Sequence, residues 1–467
     1  MTLRTDPSIP PQQDPSWPGH IRATLKLGLP LIGVQLAQMS IHVTDTVMIG
    51  WLGAADLAAS VLATQLFFVV FIICTGFAHA LVPLASTAAA QDDARGVRRA
   101  TRMGFWAVLG MAILLTPLLW FSEALLISLW QKPELAERAQ SYLRIAFLSL
   151  FPTVIVAVFR SYLAALERAG IVFWATLAGT FLNAFLNWVF IFGNLGAPAL
   201  GIEGAAIASV GTVILTLLVL VAYARMKEDL RQYAIFVRLW RPDWAALREI
   251  IRMGLAISAT LLAEVGLFAA ASLMIGQFGT IPLAAHGIAL QIISVIFMIP
   301  LGLSSAATVR AGRAVGRQDP QGLGRAGTTV LLMALSIAAL GALVLWLFPE
   351  ALINLFLDPE TSSDIPAIIA YGVPLLAVAA AFQIVDTLQV ISLGLLRGIK
   401  DIKVPAIMAV FSYWGVGVPV AWFLAFRTDL GGVGVWTGLA LGLGLAALLL
   451  TGRFLLRNRF ALIAVNA

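Results

Sequence analysis

The chain has 467 residues, of which 60% are hydrophobic and 12% are charged, and its mean hydropathy is +0.94. A soluble domain is about half apolar and about a quarter charged, so this composition excludes an ordinary soluble protein. The net charge of +6 does not indicate a nucleic-acid partner, because the basic residues flank apolar segments and so set the topology. The sequence predicts an integral membrane protein that binds no nucleic acid.

Long uncharged stretches define the expected helices. About 20 apolar residues in a helix cross the hydrocarbon core of a bilayer, and open strand edges cannot face lipid. We therefore predict an all-α polytopic membrane protein with twelve transmembrane helices. Their expected ranges are 25–50, 57–82, 101–122, 141–165, 171–193, 202–224, 249–276, 281–305, 326–348, 366–394, 402–426 and 433–456. The polar, Pro-rich residues 1–20 are expected to form a disordered tail, and residues 461–467 a C-terminal tail.

The basic residues are distributed unequally between the two sides of the predicted bundle. With twelve helices, the tails and the even-to-odd loops share one side, which carries 25 of the 30 Lys and Arg residues. The positive-inside rule then places both termini in the cytoplasm. Arg160 is near the end of its predicted helix, and we expect its side chain to extend toward the cytoplasmic surface.

An internal repeat predicts the architecture. Residues 253–279 align with residues 27–53 at a constant offset of 226, which also places Gly302 on Gly76. Later, residues 395–405 align with residues 165–175 at an offset of 230. The prediction is two pseudo-symmetric six-helix bundles, at residues 21–225 and 246–460, joined by a charged cytoplasmic linker at 226–245. Repeats related in this way are typical of transporters that bind substrate between their halves, although channels and some membrane enzymes also contain repeats.

Three acidic residues lie inside predicted helices, namely Asp45, Glu264 and Asp386. Each costs roughly 2.5–3.5 kcal/mol at the centre of a membrane helix. The repeat places a neutral residue opposite each of them, so the scaffold does not need the charge. Those neutral residues are Ala271, Gln38 and Val156. Hydrogen bonding to neighbouring helices is one explanation, and binding of a proton, a metal ion or an organic cation is the other, which we prefer.

Several polar residues in the helices are candidates to line a cavity. A glutamine in a membrane helix more often bonds a neighbouring helix, so both roles stay open for this group. Its members are Gln38, Gln65, Gln291, Gln383 and Gln389. Asn183 and Asn187 are four residues apart and share a helix face, with interhelical bonding and cavity lining equally plausible.

Other residues carry weaker signals. Pro30 lies fifteen residues before Asp45 and is a candidate helix hinge, with plain packing as the alternative. His286 is expected to be structural rather than a proton relay. Gly438 and Gly442 have the spacing of a close helix-packing device. There is no HExxH pair and no Ser/His constellation at a plausible depth, so we predict that the protein is not an enzyme and has no cofactor.

Four segments together resemble a known family. The segments VTDTVMIGWLGAADLAA, AAHGIALQ, FMIPLGLSSAATVRAGRAVG and GLLRGIKD resemble those of multidrug and toxic compound extrusion (MATE) transporters of the NorM branch. The resemblance extends from the first predicted helix to the last. One departure is Gly287, where that family usually has glutamine.

The resemblance implies a function and a set of site residues. It implies a bacterial inner-membrane antiporter that acts as a monomer among membrane lipids and exports organic cations and drugs in exchange for Na⁺ or H⁺. It implies that Asp45 is the acid of the N-terminal half, facing Asn183 and Asn187. It also implies that Glu264 and Asp386 form the cation site of the C-terminal half, which would hold Na⁺ in a sodium-coupled protein. A lipid or lipid-linked oligosaccharide flippase of related fold is the alternative.

Overall fold

The computed structural model describes residues 16–129, 131–357 and 364–457. Its α-helices, in chain order, are α1 (Trp17–Gly50), α2 (Ala54–Ala90), α3 (Ala94–Trp120), α4 (Ser122–Ser128), α5 (Pro133–Ala165), α6 (Ala169–Phe192), α7 (Ile202–Met226), α8 (Glu228–Arg231), α9 (Trp244–Gly276), α10 (Thr280–Gly316), α11 (Pro320–Leu347), α12 (Pro349–Asn354), α13 (Ile365–Gly398), α14 (Lys403–Val410), α15 (Val418–Phe426) and α16 (Gly431–Leu455). A π-helix, Phe411–Gly417, joins α14 to α15. In these ranges twelve helical segments are long and apolar enough to cross a membrane, which confirms the predicted fold.

The prediction of a disordered tail over residues 1–20 is wrong for its last part. Helix α1 begins at Trp17, eight residues before the expected start of the first membrane helix. Ser16 caps it by accepting a hydrogen bond from the backbone N–H of Gly19 at 3.2 Å, and Pro18 presets the first turn. Residues 1–15 and 461–467, where the rest of the predicted tails lie, fall outside the described residues.

The predicted linker at 226–245 is partly helical. It contains the short helix α8, and its last two residues already belong to α9. Asp243 caps α9 by accepting a hydrogen bond from the backbone N–H of Ala246 at 3.2 Å, and it also pairs with Arg99 at 2.5 Å. The charges of the linker therefore fix the start of α9 against α3.

The helices form two bundles with the same order of elements. We call α1–α7 the N-bundle and α9–α16 the C-bundle. The offset of 226 residues maps both ends of α2 onto the ends of α10, and the short helices α4 and α12 occur at equivalent positions after α3 and α11. Each bundle surrounds a hydrophobic core, and the core of the N-bundle continues into the first part of α9. The internal repeat in the sequence thus corresponds to a repeat in the structure.

The two bundles contact one another mainly at one end. We call this end, where α1 begins and α16 ends, the terminal side. Arg310 of α10 donates a hydrogen bond to the carbonyl of His20 in α1 at 3.0 Å and another to the hydroxyl of Thr24. Arg313 pairs with Glu167 at 2.9 Å. These polar contacts join the bundles at the terminal side.

Glycine allows the helix axes to approach closely between the bundles. A Cβ atom on Gly76 of α2 would lie 2.7 Å from the backbone nitrogen of Ser258 in α9, and a Cβ on Gly302 of α10 would lie 2.6 Å from the backbone of Ile32 in α1. Real Cβ contacts are longer than this. The two glycines that the repeat aligns therefore make equivalent inter-bundle contacts.

Gly438 and Gly442 of α16 pack against α15 and the end of the π-helix, as their spacing predicts. A Cβ on Gly438 would overlap the backbone of Ala421, whereas Gly452, on the same helix, has open space around it. We expect Gly438→Ala to destabilise the protein by about 1–3 kcal/mol through overpacking. Gly452→Ala is the matched control and should leave stability unchanged.

The measurement is the thermal midpoint of both variants in detergent, followed by size-exclusion chromatography after heating. A lower midpoint for Gly438→Ala alone is the expected result. Equal midpoints would show that the close approach of α15 and α16 is wrong.

Candidate functional site

An acidic cavity lies within the C-bundle. It has a volume of about 230 Å³, and its lining includes the carboxylates of Glu264 from α9 and Asp386 from α13. The remaining lining residues are mostly apolar or aromatic, namely Val265, Phe268, Leu290, Ile293, Ser294 and Phe297. Two acids that are 122 positions apart in the sequence thus face one cavity.

The polar face of α13 continues beyond Asp386. Gln383, Asp386 and Thr387 have the i, i+3, i+4 spacing of one helix face, and each is at most 3% exposed. Within the described residues, both amide atoms of Gln383, the hydroxyl of Thr387 and the Oδ1 atom of Asp386 have no hydrogen-bond partner. Such groups are costly to bury unpaired, so this face is suited to an ion or to water.

The oxygens of this face suit a hard cation. Carboxylate, amide and hydroxyl oxygens are the ligands that such ions prefer, and the two carboxylates of the cavity supply the charge. No group of three or more His, Cys, Asp or Glu side chains in the described residues could hold a metal ion. Any ion here would therefore use the amide and hydroxyl oxygens as well.

A tyrosine from the π-helix completes this region. Gln389 donates a hydrogen bond to the hydroxyl of Tyr413 at 2.5 Å, and the Tyr413 phenol lies near both Glu264 and Asp386. The indole N–H of Trp414, the next residue, donates to the carbonyl of Ala263 at 3.0 Å. The π-helix, a rare conformation found mainly at functional sites, thus contacts α9 beside Glu264.

Two half-buried arginines, Arg160 and Arg397, lie near His79, and one of them also lies near an acid. Arg397 interacts electrostatically with Glu264, and both Arg397 and Arg160 interact with His79. The Nη2 atom of Arg160 donates to the side-chain oxygen of Gln35 at 3.0 Å. The expectation that Arg160 extends to the surface is therefore wrong, because its guanidinium finds a hydrogen-bond acceptor on α1 instead.

The N-bundle holds a second acidic site. Asn187 of α6 donates hydrogen bonds to Asp45 at 2.6 Å and to Asn183 at 3.2 Å, and Asn183 and Ser209, the latter from α7, both lie near the same carboxylate. Asn183 and Asn187 are fully buried. The Nδ2 atom of Asn183 and the Oδ1 atom of Asn187 lack partners among the described residues. The asparagines therefore bond between helices and still offer polar atoms to a ligand.

His286 has a structural role in this bundle. The indole N–H of Trp436 donates to its Nδ1 at 3.1 Å, and its Nε2 lies 3.0 Å from the hydroxyl of Ser272. Because an indole nitrogen can only donate, Nδ1 accepts and the ring proton is on Nε2. Trp436 also packs against Phe382, which precedes Asp386 by one turn.

The remaining predicted residues are not brought together with the acids. Gln65 and Gln291 are exposed and Gln38 is half-buried, and none of them belongs to the lining of the acidic cavity. Helix α1 continues through Pro30. Cavity lining by these glutamines and a hinge at Pro30 stay predictions.

Sequence reasoning missed Thr387, Tyr413 and Arg397. The spacing of Thr387 from Gln383 and Asp386 on a helix face could have identified it. Tyr413 and Arg397 come near Glu264 only through the tertiary fold, and no local pattern in the sequence indicates that proximity.

Comparisons with known proteins identify the family. The MatE family model matches residues 30–189 and 256–423. "Probable multidrug resistance protein NorM" of Rhizobium meliloti is 48% identical over 454 residues, covering 97% of each chain. "Multidrug resistance protein NorM" of Burkholderia vietnamiensis is 36% identical over 451 residues, covering 95% of this chain and 96% of that protein.

Solved structures share the fold. The crystal structure of a MATE protein in complex with MaL6 has a TM-score of 0.85 and 22% sequence identity, and covers 96% of this chain and 97% of that one. The resemblance seen in the sequence is thereby confirmed. The chain belongs to the MatE family of membrane proteins, alongside the NorM relatives.

Proposed function

We propose that the protein is a secondary active multidrug efflux antiporter that exports organic cations in exchange for Na⁺ or H⁺. The observation that carries this proposal is the acidic cavity, in which Glu264 and Asp386 face aromatic and apolar side chains. Such a surface matches a lipophilic cation, because the carboxylates balance its charge and aromatic faces attract cations. The names of the NorM relatives, which are multidrug resistance proteins, support the same reading.

Coupling arises from competition at the two carboxylates. A buried carboxylate is stabilised either by a proton or by a cation beside it, so one group can exchange a coupling ion for a drug. Na⁺ would bind Glu264 and Asp386 with oxygens from Gln383 and Thr387. Protonation would need only the carboxylates. In both cases the ion and the organic cation cannot occupy the acidic cavity together.

The N-bundle supplies a second group of ligands. Asp45, held by Asn183 and Asn187, binds or gates on its side of the molecule. Gln38, Gln65 and Gln291 line the path between the bundles. Pro30 acts as a hinge in α1, since it removes a backbone hydrogen bond fifteen residues before Asp45.

Transport follows from movement of residues 21–225 against residues 246–460, with residues 226–245 as the linker. Proteins built from such repeats expose their site to the two sides in turn. Both termini lie in the cytoplasm of a bacterium, so the terminal side, where the bundles contact one another, faces the cytoplasm. The chain functions as a monomer in the inner membrane. The contacts of Arg310 break when that side opens.

A lipid or lipid-linked oligosaccharide flippase is the second candidate. The half-buried cations Arg160 and Arg397 favour it, because a phosphate headgroup needs positive charge. However, Arg397 lies near Glu264, whose negative charge offsets the positive charge of the arginine, and the acidic cavity itself is lined by acids. Cationic cargo is therefore the better match.

The gradient that drives transport tests the proposal. The protein is reconstituted in proteoliposomes loaded with ethidium, and fluorescence follows its movement under a Na⁺ gradient, a pH gradient or neither. Movement driven by one gradient alone is the expected result and identifies the coupling ion. Absence of ethidium movement under every gradient would contradict antiport of organic cations.

Neutral variants test the assigned residues. We expect Asp386→Asn and Glu264→Gln each to reduce gradient-driven efflux by about tenfold or more. A neutral amide carries no negative charge with which to bind the coupling ion and the drug cation in turn. Asp56→Asn is the matched control, since Asp56 is an acid outside the cavity that pairs with Arg138 at 2.9 Å. Normal coupled transport by both cavity variants would refute the assignment.

A further inference from the structure

A second cavity, at the terminal side, is lined mainly by cations. It has a volume of about 280 Å³ and lies between the start of α9 and the segment that joins α13 to α14. Its charged lining residues are Arg248, Arg252, Lys400, Lys403 and Glu249, with Ala245 and Met253 completing the wall. We call it the basic cleft. Four cations against one acid give it an excess of three positive charges.

The acids adjacent in sequence do not neutralise the basic cleft. Asp401 lies between the two lysines, but Arg453 holds it through two hydrogen bonds, of 2.6 and 3.2 Å. Asp243, just before α9, pairs with Arg99 at 2.5 Å. Across the described ranges, none of the four cations of the cleft has an ion-pair partner.

Backbone geometry adds to this positive charge. Lys403 is the first residue of α14, and no side chain caps that helix end. A helix N-terminus presents unpaired N–H groups and the positive end of the helix dipole. Arg248 and Arg252 are four residues apart, so they lie on one face of α9 opposite this end. Two independent sources of positive potential therefore meet across one cleft.

The internal repeat indicates that the scaffold does not require this arrangement. At the offset of 226, Arg248 and Arg252 correspond to Arg22 and Lys26 of α1. At the offset of 230, the two lysines correspond to Gly170 and Phe173. The N-bundle thus has the two cations of its first helix, which set topology, but it lacks a counterpart of the two lysines that face them in the C-bundle. Of these two aligned sets of residues, only the set in the C-bundle has four cations.

The basic cleft lies where lipid headgroups lie. Arg252 is the last charged residue of α9 before its apolar stretch, and Lys403 precedes the apolar stretch of α14 and α15. Trp244 is 68% exposed beside the cleft, as is common for tryptophan at a membrane interface. Basic pockets between membrane helices at this depth bind anionic headgroups.

We propose that the basic cleft binds the phosphate headgroup of an anionic phospholipid. The cations pair with the phosphate, the start of α14 donates its free N–H groups, and the acyl chains lie along the apolar parts of α9 and α14. Glu264 is twelve residues beyond Arg252, about 18 Å along α9. A bound lipid therefore ties the start of α9 to the segment that follows α13, and both α9 and α13 contribute a carboxylate to the acidic cavity.

Native mass spectrometry of the detergent-solubilised full chain tests this site. The probes are phosphatidylglycerol and, as a zwitterionic control, phosphatidylcholine with the same acyl chains. We expect one phosphatidylglycerol molecule to be retained, and Arg252→Gln with Lys400→Gln to weaken its binding by about tenfold or more. The matched control, Arg22→Gln with Lys26→Gln, removes two cations from the same side of the N-bundle and should change binding less than twofold.

Three results would overturn the proposal: equal weakening in both double variants, equal retention of phosphatidylcholine, or complete displacement of the lipid by excess inorganic phosphate. The last of these would assign the cleft to free phosphate. The two double variants are compared only if each elutes as a single symmetric peak in size-exclusion chromatography and keeps an unchanged thermal midpoint. A loss of binding then reflects a change at the site rather than unfolding.

Discussion

The close approach of the two bundles, from the middle of the helices to the terminal side, determines the rest of the structure. Gly76 and Gly302, near the middle of their helices, bring α2 against α9 and α10 against α1, where any larger side chain would meet backbone. Arg310, only 5% exposed, adds hydrogen bonds to α1 nearer the terminal side. Membrane helices associate through small residues and hydrogen bonds, because lipid supplies no hydrophobic force between them. A contact built in this way can break and re-form as a unit.

The acidic cavity is subject to a second physical constraint, the cost of burying polar groups that have no partner. Gln383, Asp386 and Thr387 are each at most 3% exposed, so their unpaired oxygens need a partner that can be exchanged. In the antiport that we propose, a proton, a Na⁺ ion or a drug cation would each fill this role, and each would change the charge of the interior. The same physical cost that makes these residues unfavourable for folding would then make them useful for exchange.

The sequence predicts the bundle because its signals are local. Helix length, charge placement and the offset of 226 identify the twelve helices, and the alignment of Gly76 with Gly302 locates equivalent positions whose contacts only the structure reveals. The acids were also recognisable, since charge inside an apolar run is rare. Tyr413 was not, because the π-helix shifts the helix face that a 3.6-residue period predicts. Arg160 was misread, since a long side chain near a helix end can turn either way.

The most direct measurement is a reversible cross-link across the bundles, made in a Cys74→Ser background. A Cβ on Gly28 of α1 would lie 3.9 Å from the Cβ of Ala306 in α10, and a Cβ on Gly372 would lie 3.8 Å from that of Ala285, both within the C-bundle. Both distances suit a disulfide. Oxidation should abolish ethidium transport by the Gly28→Cys/Ala306→Cys protein, with recovery on reduction, and spare the Gly372→Cys/Ala285→Cys control. Full transport by the cross-linked inter-bundle pair would contradict opening of the terminal side.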